Sequence, residues 1–386
     1  MAVLGTVAAA LVVVWGCAIV AAAAWTRAYR APDGEPIPLP TADGWTVWVH
    51  RFRPTGEPRG LPVVLGHGFM MNRWCWSLSE TGSMPARLAA AGFDVFVAEY
   101  RGSGRGRVPP EDRLYLTREA GLDGWGFDDH AELDVPAIID GVRGITGADR
   151  VHWVGHSMGG MLGYAHAIHA GARGLASVVT MGSPTRFEHI APLFGPTGPA
   201  AARLLRVLPK LHMRLFMALA LPFAVFAPKV VLRTSGSKRW LTRFERMSLL
   251  AEAFEDTSPA LAGFFLDRWM NDRRLIPHEE GSYSDLPVPT LVIAGASDVL
   301  APPRAARVPF EETETDRVAY RLYGDPHLPP EIAGPDLGHA DLISGDVAME
   351  HTLPLLTAWL GAEDPLATVE ALPGVRRSGR PVQAAG

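Results

Sequence analysis

The apolar residues of this chain are distributed as short strands separated by helical segments. Runs of apolar and β-branched residues, each about as long as one strand, recur along the sequence. They predict strands at 45–52, 61–65, 94–98, 151–154, 176–181, 290–294 and 318–323, with the longest helix between them at about 127–142. Short apolar strands that alternate with helices are typical of an α/β protein. We therefore expect a mostly parallel central sheet with helices on both faces.

The sequence Gly155-His156-Ser157-Met158-Gly159 lies where one of these strands passes into a helix. A strand, a sharp turn and a helix place Ser157 at the tip of the turn. Such a turn forces the serine backbone into a strained conformation, and side chains larger than hydrogen on either side would clash. The two flanking glycines relieve that clash. The pattern predicts an exposed serine nucleophile beside a helix N-terminus, which favours developing negative charge.

The alternation of strands and helices is interrupted between residues 184 and 286. This segment is helical in pattern and carries an apolar run at 215–226. From Ile190 to Phe244 it contains nine Lys and Arg residues and no Asp or Glu, although the whole chain has a net charge of −5. We interpret it as a cap inserted over a pocket, and its basic residues could also contact anionic lipid head groups. The alternative is a buried helical subdomain whose arginines are solvated.

The N-terminal segment is almost wholly apolar, and residues 3–25 carry no charge. At about 1.5 Å per residue, this length is sufficient to cross a ~30 Å hydrocarbon core, so it predicts a transmembrane helix. Arg27 and Arg30 follow it, which favours a cytoplasmic catalytic domain. The alternative is a signal peptide over residues 1–24, which would make the protein secreted.

These patterns divide the chain into five parts. A linker with prolines at 32, 36, 38 and 40 follows the N-terminal segment, and the small, polar C-terminal stretch is typical of a disordered tail. The predicted boundaries are a membrane anchor at 1–27, the first part of the core at 28–183, the cap at 184–286, the second part of the core at 287–361, and a disordered tail at 362–386.

Composition narrows the chemistry further. The chain has 386 residues and a net charge of −5, which gives no reason to expect a nucleic-acid partner. Its two cysteines, Cys17 and Cys75, do not form a disulfide framework. The sequence contains neither an HExxH motif nor a Walker A loop, and no dinucleotide-binding glycine loop follows the first strand. We therefore expect no metal and no cofactor.

A serine nucleophile requires a base and an acid that orients the base. The carboxyl ends of parallel strands converge at one edge of a sheet, so candidates should follow strands. Asp298 follows the strand at 290–294 and is the predicted acid. His339, after the last strand, is the predicted base, and His327 is the alternative. The side chain of His156 is expected to point away from Ser157, because successive residues diverge.

Two backbone N–H groups must also stabilise the oxyanion of the tetrahedral intermediate. One is predicted to be the N–H of Met158, at the start of the helix. The other is expected from the loop after the strand at 61–65, where we assign Phe69, with Met70 as the near alternative. In the same loop His67 and Gly68 are predicted to support the oxyanion site, His67 as a brace.

At this point the chain resembles the α/β-hydrolase superfamily, from about residue 36 to 361. The resemblance rests on motifs around the predicted site: His67-Gly68, Arg101-Gly102-Ser103-Gly104, Gly155-His156-Ser157-Met158-Gly159, Asp298 and Gly338-His339. The stretches 92–95 and 127–137 are similar to those that precede the serine in the acid lipase group. The resemblance implies an α/β-hydrolase fold with a helical cap, a Ser157, Asp298 and His339 triad, ester hydrolysis and no cofactor.

We therefore expect a membrane-anchored serine esterase or lipase that cleaves carboxylic esters with an apolar acyl group. Its expected partners are a small-molecule or lipid ester and a membrane, reached through the N-terminal helix and the basic cap. Two alternatives remain open. The same triad would serve an acyltransferase, and an α/β-hydrolase scaffold without catalytic activity could serve binding at the membrane.

Overall fold

The computed structural model describes most of the chain. The described residues are 2–28, 30–107, 124–187, 212–226, 240–269, 274–276 and 282–379. Within them, nine strands form one sheet in the order β1-β2-β4-β3-β5-β6-β7-β8-β9. The six strands from β4 to β8 in this order pair in parallel, whereas β1, β2 and β9 pair antiparallel at the two edges. The mostly parallel sheet predicted from the sequence is confirmed.

The strands are short and regularly spaced. Their bounds are β1 Glu35–Pro40, β2 Thr46–Phe52, β3 Val63–Gly66, β4 Val95–Glu99, β5 Val151–His156, β6 Leu175–Met181, β7 Thr290–Gly295, β8 Val318–Tyr323 and β9 Val375–Arg377.

Among the described residues, the first helix precedes β1 and the others lie between strands. The α-helices are α1 Ala2–Ala28, α2 Met84–Ala90, α3 Phe127–Asp129, α4 Val135–Thr146, α5 Met158–His169, α6 Met213–Phe226, α7 Arg243–Ser248, α8 Pro259–Asp267, α9 Pro303–Ala306, α10 Val308–Glu312, α11 Pro330–Ala333, α12 Gly345–Val347, α13 Leu353–Leu360 and α14 Pro365–Glu370. Single π-helical turns occupy His130–Asp134, Leu249–Ala253 and Ala348–Thr352, and 3₁₀ turns occupy Arg73–Trp76, Gly104–Arg107 and Ala340–Leu342.

The two faces of the sheet are both covered. On β5, Trp153 packs in one apolar cluster and Val154 in the other, because successive side chains of a strand point to opposite faces. Both residues are completely buried. The same alternation continues on β6 with Val178 and Val179. A parallel sheet buried on both faces explains why its strands are continuous apolar runs in the sequence.

The proline-rich stretch predicted as a linker forms the edge strand β1, so the linker prediction is wrong at 35–40. β1 pairs antiparallel with β2, with Pro36 opposite His50 and Pro38 opposite Trp48. Successive backbone N–H groups of a strand point to opposite sides, so prolines at every second position remove donors from one side only. Proline is tolerated at a sheet edge for this reason.

The predicted disordered tail at 362–386 is also corrected, as far as residue 379. Residues in this stretch form α14 and then β9, which pairs with β8. Val369 is completely buried in the core. Arg377 forms ion pairs with Asp316 and Glu370. The small, polar composition of this stretch concealed the few apolar residues that attach it to the core.

The apolar N-terminal segment forms the helix α1. The membrane span predicted at 3–25 is not found, since no helix among the described residues is both long and apolar enough to cross a bilayer. In the second half of α1, Trp15 Nε1 donates to the carbonyl of Leu219 at 3.2 Å. Trp25 packs edge-on against Phe244 at 5.9 Å, and Thr26 is completely buried. This half of the helix therefore packs on the segment between β6 and β7.

That segment includes the whole of the predicted cap, 184–286. Its described parts form α6, α7 and α8, and the π-helical turn Leu249–Ala253 lies between α7 and α8. The stretches 188–211, 227–239, 270–273 and 277–281, which include many of its basic residues, lie outside the described residues. The division of the chain into core and cap stays a prediction, and the location of these helices between β6 and β7 is consistent with it.

A buried charge network connects the end of β4 to the helix that follows. Arg101 Nε donates to Asp134 Oδ1 at 2.8 Å, and the backbone N–H of Arg101 donates to Asp134 Oδ2 at 3.0 Å. Nδ1 of His130 lies 2.8 Å from the same Oδ2. Asp134 is fully buried, and the second partner of the guanidinium, Asp43, is nearer to solvent. The network orients the chain as it leaves β4.

We expect Asp134→Ala to lower the free energy of unfolding by about 3–5 kcal/mol, because it removes the deepest partner of a buried guanidinium. Asp140→Ala is the matched control. Asp140 also pairs with an arginine, Arg143, but on the surface, where an ion pair contributes up to about 1 kcal/mol. Urea unfolding of both variants is the measurement. Equal, small losses in the two would contradict the structural role of the network.

Candidate active site

The strand-to-helix turn at Ser157 is tightly packed and strained. Ser157 has φ 53° and ψ −119°, a region that L-residues rarely adopt, and it is the N-cap of α5. A Cβ atom on Gly155 would collide with the backbone of Gly159, and one on Gly159 would collide with the carbonyl of Gly66. The turn can therefore form only with glycine at these two positions, and it leaves Ser157 half-buried among fully buried neighbours.

Asp298 and His339 form a close buried pair. Nδ1 of His339 lies 2.7 Å from Oδ2 of Asp298, and both residues are buried. The other carboxylate oxygen accepts hydrogen bonds from the backbone N–H groups of Leu300 and Ala301, at 2.9 and 2.7 Å. Because its oxygens are fixed in this way, Asp298 holds the His339 ring in one orientation. With Nδ1 as the donor, Nε2 of His339 is left as the proton acceptor.

The competing base, His327, is excluded by its position. His327 is exposed in the loop after β8, and its backbone N–H donates to Asp325. His339, and not His327, therefore accompanies the candidate acid.

Ser157 and the Asp298–His339 pair are linked by His156. The His156 ring lies 4.4 Å, centroid to centroid, from the His339 ring. Its Nε2 donates to the backbone carbonyl of His339 at 3.1 Å. The expectation that the His156 side chain points away from Ser157 stays a prediction. Nothing in the sequence indicated, however, that this ring contacts His339 and binds its backbone carbonyl.

Burial keeps His156 and His67 neutral. Complete burial, with a smaller contribution from His339, holds the pKa of His156 well below its usual range. Burial also lowers the pKa of His67 to about 4. Nδ1 of His67 lies 2.9 Å from the carbonyl of Gly68, and Nε2 lies 3.0 Å from Ser103 Oγ. A neutral His67 fixed at both nitrogens is consistent with the predicted brace.

The loop after β3 passes directly over the serine. A Cβ atom on Gly68 would lie 3.2 Å from Cβ of Ser157, so a side chain here would make a tight contact that glycine avoids. Phe69 follows, and then Met70, whose φ of 56° is unusual for a residue other than glycine. Met158 is the first residue of α5, where backbone N–H groups have no acceptor within the helix. The two predicted oxyanion donors thus belong to segments on either side of Ser157.

A cluster of aromatic rings packs next to Phe69. Phe69 packs on Phe265 of α8 at 4.6 Å, and Phe127 stacks on Phe264 at 4.6 Å. Phe187, just after β6, lies 6.1 Å from Phe265. An apolar wall of this kind, built partly from the core and partly from the segment between β6 and β7, suits an apolar ligand group. Among the described residues, no group of His, Cys, Asp or Glu is arranged to hold a metal ion.

The sequence of the chain matches the family model described as the alpha/beta hydrolase family over residues 63–371. Among curated proteins, it is 29% identical to triacylglycerol lipase 2 of Arabidopsis thaliana over 165 residues, which are 40% of this chain and 38% of that protein. It is 35% identical to the gastric triacylglycerol lipase of Bos taurus over 133 residues, 32% of each chain. The alignments therefore span only about a third of the length of these relatives.

Solved structures resemble the fold over more of the chain. An esterase from Exiguobacterium antarcticum superposes with a TM-score of 0.53 and 16% identity, covering 84% of this chain and 99% of that one. A monoacylglycerol lipase from Paleococcus ferrophilus gives a TM-score of 0.51 and 19% identity, covering 81% and 98%. At these identities the likeness concerns the fold.

The turn at Ser157 generates a stability prediction. Gly155→Ala places a methyl group within the backbone of Gly159, and such overpacking is expected to cost about 1–3 kcal/mol or more. Gly144→Ala is the control, since Gly144 is exposed in α4 and its added Cβ would meet no atom within 4 Å. This control should stabilise the protein by about 0.5–1 kcal/mol. Urea unfolding should separate the two variants in sign, and a neutral Gly155→Ala would contradict the tight turn.

The buried histidines generate a pH prediction. Burial lowers the pKa of His152, on β5, to about 4, so the folded state binds fewer protons than the unfolded state between pH 4 and about 6.5. His152 therefore contributes stability that is complete above pH 6.5 and is lost on acidification, by at most about 1.4 kcal/mol per pH unit. His152→Gln should flatten the pH dependence of unfolding by about one proton. The exposed His169→Gln should leave the slope unchanged, and equal slopes for all three proteins would refute the assignment.

Proposed function

Because the chain belongs to the alpha/beta hydrolase family, we propose that it is a serine hydrolase that cleaves carboxylic esters with an apolar acyl group. The observation that carries the proposal is the buried Asp298–His339 hydrogen bond at the same sheet edge as the strained Ser157 turn. A serine, an imidazole and a carboxylate are the three groups that acyl transfer through a covalent intermediate requires.

In the first half of the reaction, Ser157 Oγ attacks the ester carbonyl carbon. Nε2 of His339 takes the hydroxyl proton as the new C–O bond forms. Asp298 accepts a hydrogen bond from the Nδ1–H group of His339 and stabilises the resulting imidazolium. The tetrahedral intermediate then collapses, His339 returns its proton to the leaving alcohol, and the acyl group remains on Ser157.

In the second half, water replaces the alcohol. His339 removes a proton from the water as its oxygen attacks the acyl carbon, and then returns this proton to Ser157 Oγ. The acid is released and the serine is restored. The same three side chains therefore act in both halves, and no cofactor is required.

The oxyanion in both halves is stabilised by the backbone N–H groups of Phe69 and Met158. Met158 contributes the N-terminus of α5, whose dipole favours negative charge. Phe69 contributes the loop that Gly68 allows to approach Ser157. A single donor of this type is worth about 10²–10³ in kcat. His67 and Gly68 support this loop.

The acyl group occupies the aromatic side of the site. The apolar surface is a wall of aromatic rings from Phe69, Phe127, Phe187, Phe264 and Phe265. The Arg268 guanidinium lies 5.2 Å from the Phe264 ring. The relatives named as triacylglycerol lipases support a lipid ester as the substrate class. The cellular location inferred from the sequence stays a prediction.

The test is hydrolysis of p-nitrophenyl esters with two to sixteen carbons by the full chain. We expect turnover that rises with acyl length from the two-carbon ester, because longer acyl groups bury more apolar surface. Ser157→Ala should lower kcat by about 10⁴-fold or more while the thermal midpoint stays within about 2 °C. The matched control is Ser284→Ala, in a half-buried turn before β7, which should behave as the wild type.

A fluorophosphonate probe separates the outcomes. Labelling that disappears with Ser157→Ala, together with serine-dependent turnover, supports the hydrolase. Hydrolysis that survives in Ser157→Ala refutes the assignment of the nucleophile. Labelling of Ser157 without turnover at any acyl length contradicts ester hydrolysis and favours acyl transfer to another acceptor, whereas neither labelling nor turnover favours the non-catalytic scaffold.

A further inference from the structure

The loop that carries Phe69 pairs with a segment from the region between β6 and β7. The backbone N–H of Glu255 donates to the carbonyl of Met70 at 2.8 Å, and that of Asn72 donates to the carbonyl of Ala253 at 3.0 Å. Between these bonds, Met71 and Phe254 form an antiparallel bridge. Residues 70–72 and 253–255 therefore make a short two-stranded ribbon next to the site.

Two buried polar side chains reinforce the ribbon. Asn72 Nδ2 donates to the carbonyl of Glu252 at 2.8 Å and to Glu255 Oε1 at 2.9 Å. Asn72 Oδ1 accepts from the backbone N–H of Trp74 at 2.9 Å, which caps the 3₁₀ turn after the loop. Asn72 and Glu255 are only 3% and 2% exposed. The Asn72 amide thus binds both the segment 252–255 and the 3₁₀ turn that follows its own loop.

The carboxylate of Glu255 joins three elements. Its Oε1 also accepts from the backbone N–H of Gly104, after β4, at 3.2 Å. Its Oε2 lies 3.0 Å from Nη1 of Arg214, at the start of α6. Burying a carboxylate is costly unless it is paired and hydrogen-bonded, and here it is both. Since Arg214 is a charged partner of Glu255 among the described residues, the position of α6 affects how well the carboxylate is paired.

The backbone of Met70 requires this support. A residue other than glycine at positive φ carries a cost of about 1–2 kcal/mol, so it persists only where surrounding bonds impose it. The carbonyl of Met70 is bound by Glu255, and the N–H of Met71 donates to the carbonyl of Gly68 at 3.3 Å. Phe69 lies inside the turn closed by the Met71–Gly68 bond and directly precedes Met70. We therefore expect the direction of its N–H to depend on the ribbon.

We infer that Glu255, with Asn72 and Arg214, is a positioning residue that completes the oxyanion site from the segment between β6 and β7. Glu255 acts through the backbone of the loop and not on the substrate. The inference rests on the proposed function, since it gives the Phe69 N–H its role. The oxyanion site then depends on the loop after β3 and on the segment between β6 and β7. Arg214 couples the geometry of this site to α6.

The first experiment measures the transition-state interaction. Glu255→Ala should weaken binding of an alkyl trifluoromethyl ketone, which forms an oxyanion on the serine, by 10-fold or more. It should lower kcat by a similar factor, with KM for the p-nitrophenyl ester within about threefold. Glu255→Gln, which can still accept from Asn72 and Gly104, should recover part of the loss. A merely structural role would lower the thermal midpoint without this split between kcat and KM.

Glu252→Gln is the matched control. Glu252 lies three residues earlier, and its carboxylate faces the exposed Arg27 at 3.5 Å, away from the loop. It should behave as the wild type in both kcat and ketone affinity. Losses of equal size in Glu252→Gln and Glu255→Ala would overturn the specific role of Glu255.

A second readout does not require activity. Amide hydrogen exchange of residues 68–72 should be about 10-fold faster in Glu255→Ala than in the wild type, and unchanged in Glu252→Gln. If the wild type neither hydrolyses esters nor binds the ketone, the proposed function fails, yet exchange still tests the ribbon. Wild-type exchange and ketone affinity in Glu255→Ala would overturn the inference while leaving the hydrolase intact.

Arg214→Met serves if Glu255→Ala does not fold. Arg214 is 40% exposed, so its replacement by an apolar residue of similar length should preserve the fold. We expect ketone affinity to fall about threefold and exchange at residues 68–72 to increase. Wild-type values for both would refute the coupling between α6 and the loop.

Discussion

The backbone strain at Ser157 is the constraint on which the rest of the site depends. A φ of 53° at a serine persists only because β5, α5 and the loop after β3 are packed so closely that no other path is open to the chain. Gly155 and Gly159 permit that packing, and Gly66 is its opposite wall. The same closeness brings the start of α5 to the serine. The backbone strain at Ser157, the partial exposure of this proposed nucleophile and its position at the helix N-terminus thus result from one packing arrangement.

Those parts of the site that depend on local sequence could be predicted. The turn at Ser157 is determined by adjacent glycines between a strand and a helix. Asp298 and His339 could be identified because the carboxyl ends of parallel strands meet at one edge, so residues that follow β7 and β8 must approach each other. This rule requires no knowledge of the side-chain contacts themselves. The family resemblance is confirmed by the alpha/beta hydrolase family model, which matches residues 63–371.

Other elements depend on contacts that a local pattern does not contain. The prolines of β1 argued for a linker, and only its pairing with β2 shows that they face the edge of the sheet. The strand β9 has three residues, and it forms because β8 offers an open edge and Arg377 finds two carboxylates. The apolar composition of α1 led to the prediction of a membrane span, yet Trp25 and Thr26 pack against the protein. Apolar composition predicts that a segment is removed from water, but it does not predict the surface on which the segment packs.

Asn72 and Glu255 show most clearly what a local sequence pattern cannot predict, because they are 183 positions apart in the sequence. Neither belongs to a motif, and each has an ordinary polar sequence environment. Their importance follows from burial: a carboxylate removed from water must be given partners, and those it has here belong to the loop, to the turn after β4 and to α6. A segment inserted between β6 and β7 can therefore do more than cover the site. By satisfying its own buried charge at the loop, it holds the backbone of the residue that we propose as an oxyanion donor.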